Sequence, residues 1–291
     1  MLSTRTVLAL SLGAAALTAG CAQQEVKPRP PQAAQPLREP VTEPRVALAT
    51  EVLRGLTVRQ KVGQLLVPAV TDKAGGLRLI KRYGVGGVAY PSGRLVDAAR
   101  TARLSQALQK ASPLPLLISA DTTAGPSYPT LFPGPMALAA THDPVLVRAA
   151  ATVAAAELNA AGINQDRTPL AGPAAEPALA GRLLGASLDG YHAAGVITTV
   201  RARLDAPPSP AALAHGADSV LSAAAPKPAL AGLLRGRLGF RGVITAPGGT
   251  VQALLAGADQ LLMPPDLPGT FRSVLAAVRD GRITAARLDD S

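Results

Sequence analysis

Residues Leu234–Pro247 read LRGRLGFRGVITAP, and this stretch joins the end of a helical pattern to a short apolar run. The helical pattern covers Pro226–Leu238 and the apolar run covers Gly242–Thr245. Helical patterns that alternate with short apolar runs are typical of parallel βα units. The stretch therefore predicts one strand of a parallel sheet with its preceding helix.

The same alternation recurs from Val46 onward. A capping-box spacing at Thr57–Gln60 predicts an early helix. Further helical patterns cover Leu95–Ala111, the segment that Asp143-Pro144 opens, and Phe271–Val278. Eight strands with helices between them, in about 245 residues, predict an α/β fold of the (β/α)8 TIM-barrel type. An open doubly wound sheet is the alternative, but the chain lacks a Gly-rich phosphate loop. The predicted strands are Leu65–Val70, Gly86–Tyr90, Leu114–Ala120, Gly162–Gln165, Gly195–Val200, Ser219–Ser222, Gly242–Thr245 and Gln260–Met263.

Composition limits the classes of function. The 291 residues are 48% hydrophobic but only 2% aromatic, without tryptophan, so the core must be built from Ala, Leu and Val. The formal net charge is +10. The basic residues are dispersed and no aromatic platform accompanies them, so we expect no nucleic acid partner. Attraction to an anionic polymer or a membrane surface is the alternative to a plain solvated surface.

The N-terminus carries a targeting pattern. Arg5 precedes the apolar run Val7–Leu17, which is too short to span a bilayer, and the run ends in LTAGC at Cys21. This resembles a bacterial lipoprotein signal, in which the cysteine is lipidated. The resemblance implies a signal peptide over residues 1–20 and an extracytoplasmic protein anchored to the cell membrane. An ordinary secretory signal is the alternative. With Cys21 modified, the chain has no other thiol for a disulfide or a metal site.

A proline-rich segment over residues 21–45 separates this signal from the barrel of residues 46–291. Its prolines lie among Gln, Glu, Lys and Arg, so it has no means of building a core. We interpret it as a semi-extended tether that reaches roughly 70 Å at about 3 Å per residue.

Several stretches resemble family 3 glycoside hydrolases, specifically the single-barrel β-N-acetylhexosaminidase branch. They follow one another in order from about residue 50 to the C-terminus. In that family a further helix follows the position of Ser291, so an incomplete barrel is one expectation. The matching stretches are Leu56–Leu65, Tyr83–Val88, Phe132–Leu138, Ala140–Pro144, Leu234–Val243, Ala256–Asp259 and Arg287–Asp289.

The resemblance implies a retaining hydrolase, which needs a nucleophilic carboxylate and a general acid about 5 Å away. The family places the nucleophile, an aspartate, at the end of the seventh strand, where this chain has Ala246. It places a histidine–aspartate acid/base pair after the fifth strand, within a Lys-His-Phe-Pro-Gly-His-Gly context. Here that loop, Arg201–Pro207, contains no histidine. No catalytic residue is therefore assigned.

Two residues are candidates for sugar binding through the resemblance. Asp121, at the end of the third strand, matches a family aspartate that binds sugar hydroxyls. Arg182 matches a family arginine near the substrate. The alternatives are that Asp121 caps a helix and that Arg182 is merely exposed.

Other polar residues are weaker candidates. Asp205 with Asp121 could form a rebuilt carboxylate pair, whereas Asp166 and Asp259 are expected to be structural. None of the three histidines, His142, His192 and His215, has a neighbour at metal-ligand spacing. We therefore expect no metal and no cofactor.

These observations favour a monomeric, membrane-anchored barrel that has lost hydrolysis and binds either an N-acetylglucosamine-containing glycan of peptidoglycan type or a protein partner. The alternative is an active β-N-acetylhexosaminidase that cleaves cell-wall fragments with non-standard catalysts. A third interpretation is a decayed protein without a selected activity.

Overall fold

The computed structural model describes residues 43–91, 97–121, 133–167, 177–202, 213–222 and 232–291. The chain divides into two units, Met1–Pro36 and Leu37–Ser291, and all described residues belong to the second. The predicted signal, Cys21 and nearly all of the tether lie outside the described residues. In the part that is described, no helix is both long and apolar enough to cross a membrane.

Eight parallel strands form a nearly closed barrel, which confirms the predicted (β/α)8 fold. Their order around the sheet is β1-β8-β7-β6-β5-β4-β3-β2, and a single parallel bridge, Ala69↔Ala89, joins the β1 and β2 ends. The strands are β1 Leu66–Val67, β2 Gly87–Ala89, β3 Leu117–Ala120, β4 Gln165–Asp166, β5 Ile197–Ala202, β6 Ser219–Ser222, β7 Val243–Pro247 and β8 Gln260–Leu262.

Helices surround the barrel. Two predicted N-terminal caps are present: Thr57 forms the capping box, and Asp143 accepts hydrogen bonds from the first turn of its helix, which Pro144 opens as predicted. The helices are α1 Glu43–Gly55, α2 Val58–Gln64, α3 Lys73–Tyr83, α4 Ala98–Ala111, α5 Pro135–Ala140, α6 Pro144–Ala160, α7 Pro177–Ala193, α8 Val251–Leu255, α9 Leu267–Arg279 and α10 Ala285–Asp290, with a π-helix at Gly232–Arg237.

Six of the eight strands begin later than predicted, and for two of them the cause is a helix end. The sequence predicts strands from Gly162 and from Gly195, but β4 starts at Gln165 and β5 at Ile197. Both glycines follow a helix and have positive φ, 73° and 74°. A left-handed residue of this kind ends a helix, and glycine adopts it without strain. The apolar run therefore includes a helix end before each strand.

In each of three pairs of neighbouring strands, one polar side chain joins the two strands at their N-terminal ends. Asn164 Oδ1 accepts a hydrogen bond from the Ile118 amide, at 2.8 Å. In the same way, Asp218 Oδ2 accepts a hydrogen bond from the Thr198 amide, and Asp259 Oδ2 accepts one from the Ile244 amide, both at 2.8 Å. Each acceptor residue lies immediately before its own strand, and each donor is the second residue of the preceding strand. We call these three residues the latches.

The backbone also approaches closely at this end of the barrel. A Cβ at Gly242 would lie 2.1 Å from the carbonyl oxygen of Asp218, so only glycine fits beside that latch. Gly236, in the π-helix, has no atom within 4 Å of the same position.

We expect Gly242→Ala to lower the free energy of unfolding by about 1–3 kcal/mol, because the methyl group must displace backbone. Urea unfolding measures the change, and Gly236→Ala is the control with open space around the new methyl group. Equal stability of the two variants would contradict this account of Gly242.

Candidate functional site at the barrel mouth

The strand register shows whether each strand side chain points into the barrel or toward the surrounding helices. In a barrel, successive side chains alternate between the interior and the surrounding helices, and paired residues of neighbouring strands face the same side. A small interior cluster contains Val67, Ala89, Leu221 and Leu262. The mouth is the end of the barrel at which the strands have their C-termini, and in this fold the chemistry lies there.

Arg167 is an enclosed charged residue that faces the mouth. It directly follows β4 and is only 6% exposed. Its guanidinium donates to Ser119 Oγ at 2.8 Å and to the Tyr90 carbonyl oxygen at 3.1 Å. Burial lowers the pKa of this guanidinium, whereas the charges of Asp121 and Asp166 raise it. Arg167 therefore presents a fixed positive charge that links the ends of β2, β3 and β4.

Asp121 and Arg201 complete a charged cluster at the mouth. Asp121 follows β3, and its Oδ2 accepts a hydrogen bond from Arg201 Nη2 at 3.4 Å. Arg201 lies in β5, and 61% of its side chain is exposed, against 10% for Asp121. We call Asp121, Arg167 and Arg201 the mouth cluster. The prediction from sequence places Asp121 correctly at the end of the third strand, but it misses Arg167, whose signal was a charge within an otherwise buried strand end.

Arg182 lies elsewhere. It is exposed on α7, five residues after the helix begins at Pro177. The structure joins Asp121 to Arg201, and the described contacts do not bring Arg182 to that pair. A sugar contact of Arg182 stays a prediction. Asp205 lies outside the described residues.

Ala246 does not face the mouth. Its side chain is fully buried and pairs with Leu261, and both belong to the large core that includes the helices. Its neighbours Thr245 and Pro247 pair with Gln260 and the interior residue Leu262. The exposed residue that faces the interior at the end of β7 is therefore Pro247. Neither position 246 nor position 247 carries a carboxylate, so β7 supplies no nucleophile on either side of the sheet.

One of the other aspartates stabilises the opposite end of the barrel, and a second is buried behind the mouth on the helix side of the sheet. Asp259 is 4% exposed and binds Arg235 and Arg287 at 2.6 and 3.1 Å. Asp166 is fully buried and pairs with Thr198, whose side chain contacts Asp218 and His192 on the helix side of the sheet. These contacts agree with the structural roles expected for Asp166 and Asp259.

Two of the three histidines, His192 and His215, lie away from the mouth. His192 Nε2 is 2.9 Å from Asp218 Oδ2, beside a latch. His142 is exposed with φ of 54°, directly before the Asp143 cap, and the ring of His215 packs against Gly185. Among the described residues, no group of three or more His, Cys, Asp or Glu side chains could hold a metal ion.

A family model and a curated relative both match this chain. The model of the glycosyl hydrolase family 3 N-terminal domain matches residues 57–201, about half of the chain. A β-N-acetylglucosaminidase/β-glucosidase of Cellulomonas fimi is 28% identical over an alignment that covers 80% of this chain and 55% of the relative. The chain therefore spans little more than half the length of that relative.

Two solved structures share the fold. A family 3 β-N-acetylglucosaminidase from a Paenibacillus species superposes with a TM-score of 0.73 at 29% identity, covering 81% of this chain and 60% of the other. A β-N-acetylhexosaminidase from Beutenbergia cavernae gives a TM-score of 0.63 at 24% identity, with 81% of this chain and 96% of the other covered.

Proposed function

The chain belongs to glycosyl hydrolase family 3, and from this premise we propose that its barrel binds an N-acetylglucosamine-containing glycan at the mouth without hydrolysing it. The observation that carries the proposal is the mouth cluster. An exposed guanidinium and a carboxylate lie 3.4 Å apart at the strand ends, next to the buried Arg167. A carboxylate accepts hydrogen bonds from sugar hydroxyls and a guanidinium donates to them, so the pair suits a sugar.

The proposal of binding without turnover rests on missing chemistry. Retaining hydrolysis needs a carboxylate nucleophile at the anomeric carbon. Residues 243–247 of β7 contain no acidic residue, and the segment from Arg201 to Pro207 contains no histidine. Asp121 is already engaged by Arg201, which suits recognition better than attack on carbon.

The choice of glycan rests on relatives. The proteins from Cellulomonas fimi and the Paenibacillus species are named for action on N-acetylglucosaminides. We propose a glycan of the same class for this chain. We also propose that Cys21 carries a lipid that anchors the chain to the bacterial cell membrane, which would place the mouth near peptidoglycan. This second proposal rests on the N-terminal sequence pattern alone.

Asp121→Asn tests the binding site. We expect the affinity for a chitooligosaccharide or a muropeptide, measured by isothermal titration calorimetry, to fall at least about tenfold, because a hydrogen bond to a charged group contributes about 1.5–3 kcal/mol. The wild-type protein should release no methylumbelliferone from its N-acetyl-β-glucosaminide.

The matched control is Asp97→Asn, at the N-terminus of α4, because Asn caps a helix as well as Asp does. Its affinity should equal that of the wild type, and thermal unfolding checks that both variants fold. Unchanged affinity of Asp121→Asn would sink the proposed site. Turnover by the wild type that is lost in Asp121→Asn would instead show an active hydrolase.

A further inference from the structure

The two ends of the barrel carry different helix termini, and both ends carry charged side chains of each sign. Helices in this fold run antiparallel to the strands, so helix N-termini lie at the mouth and helix C-termini at the opposite end, the base. At the mouth, aspartates cap four helices through hydrogen bonds to backbone amides. These caps are Asp72, Asp97, Asp143 and Asp266.

Cations gather at the base. They lie in the last turns of α3, α4 and α9, at the end of the π-helix, and just before β7. All are exposed, and within the described part of the chain none has a carboxylate within ion-pair distance. We call them the basal cations: Lys81, Arg82, Lys110, Arg237, Arg241 and Arg279.

Three carboxylates at the base are already paired with cations. Asp289 binds Lys61 at 2.6 Å, Asp280 binds Arg282 at 2.9 Å, and Asp259 is buried between two arginines. The basal cations therefore keep their charge available to an external partner. Complementing a helix dipole explains a cation in a last turn, but it does not explain Arg241, which precedes a strand.

We propose that the base of the barrel is a docking surface for an anionic lipid bilayer. The basal cations come from elements that precede β2, β3 and β7 and from the helix after β8, so they are distributed over one end of the barrel rather than along one groove. Docking by the base turns the mouth away from the bilayer. Each lysine or arginine near an anionic membrane strengthens partitioning roughly fivefold, and salt weakens this attraction.

Partitioning to vesicles tests the docking surface. The full chain carrying Cys21→Ser is mixed with vesicles of phosphatidylcholine alone or with an equal amount of phosphatidylglycerol. We expect sedimentation with the anionic vesicles, with weaker binding as sodium chloride is added. Lys81→Glu combined with Lys110→Glu should reduce the preference for anionic vesicles by roughly 25-fold or more.

The matched control reverses charge on the same two helices at the mouth. Lys73 and Arg100 are exposed in the first turns of α3 and α4, so Lys73→Glu combined with Arg100→Glu changes the net charge equally. We expect this control to keep most of the preference for anionic vesicles, and thermal unfolding checks that both double variants fold.

Equal losses of anionic preference in the two double variants would mean that net charge alone acts. Binding to soluble polyphosphate without binding to anionic vesicles would assign the base to a polyanion; either result overturns the proposal. Glycan affinity at the mouth is measured separately, so a failure here is distinct from a failure there.

Discussion

Ala246→Asp is expected to lower the free energy of unfolding by about 3–5 kcal/mol and to produce no hydrolysis. The Ala246 side chain is fully buried and faces the core between sheet and helices, where its pairing partner is Leu261. A carboxylate there loses water without gaining a partner, and such burial raises the pKa of an acid until it is neutral. This substitution therefore does not place a carboxylate at the mouth, where a nucleophile must lie.

The adjacent residue provides the control. Pro247 is exposed and faces the interior side at the end of β7, so Pro247→Asp places the same carboxylate in solvent. Urea unfolding should show a much smaller loss of stability for Pro247→Asp than for Ala246→Asp. If Ala246→Asp is as stable as the wild type, its side chain reaches the mouth and the facing derived from the register is wrong. If it also releases methylumbelliferone, the site lacks only the nucleophile.

Asp259→Ala is expected to lower the free energy of unfolding by a similar amount, about 3–5 kcal/mol, because it breaks a buried ion pair. Asp259 Oδ2 accepts from Arg235 at 2.6 Å and from the Ile244 amide at 2.8 Å, and Oδ1 accepts from Arg287 at 3.1 Å. Without the carboxylate, two guanidiniums lose their common counter-charge and a buried amide loses its acceptor. An unsatisfied buried group adds its own desolvation cost.

Two further variants separate these contributions. Asp259→Asn keeps an acceptor for the Ile244 amide but removes the charge. Its free energy of unfolding should therefore lie between those of the wild type and of Asp259→Ala. Asp280→Ala removes an exposed ion pair with Arg282, and surface pairs of this kind contribute little; no measurable change is expected. Identical stability of Asp259→Ala and the wild type in urea unfolding would show that the pair is not a structural element.

The number and order of the strands were predictable from the sequence, because each strand is a short apolar run between helical patterns, whereas several helices, among them α3 and α8, were not predicted. All eight predicted strands are present, and Ser219–Ser222 has the predicted bounds. The α9 helix contains the predicted Phe271–Val278. The π-helix at Gly232–Arg237 replaces part of the α-helix predicted over Pro226–Leu238; residues before Gly232 lie outside the described ones.

The facing of individual residues was not predictable. Strands buried on both sides lack an alternating pattern, so VITAP does not reveal which side Ala246 faces. The register with β6 and β8 decides this. In the same way, the mouth cluster joins residues from β3, β4 and β5 that are far apart in sequence. Asp121 was found through resemblance, but its contact with Arg201 depends on the closed sheet.

The latches give the barrel a period of two strands. Asn164, Asp218 and Asp259 fasten β4 to β3, β6 to β5 and β8 to β7, whereas β1 and β2 meet at a single bridge. The molecule is therefore a ring of strand pairs rather than of eight equivalent strands. Damage at one latch loosens one pair and leaves the fastening of its neighbours in place. The first pair is held to β3 by the backbone ladder between β2 and β3, by the Ser119 hydroxyl, which donates to the Val88 carbonyl oxygen, and by Arg167.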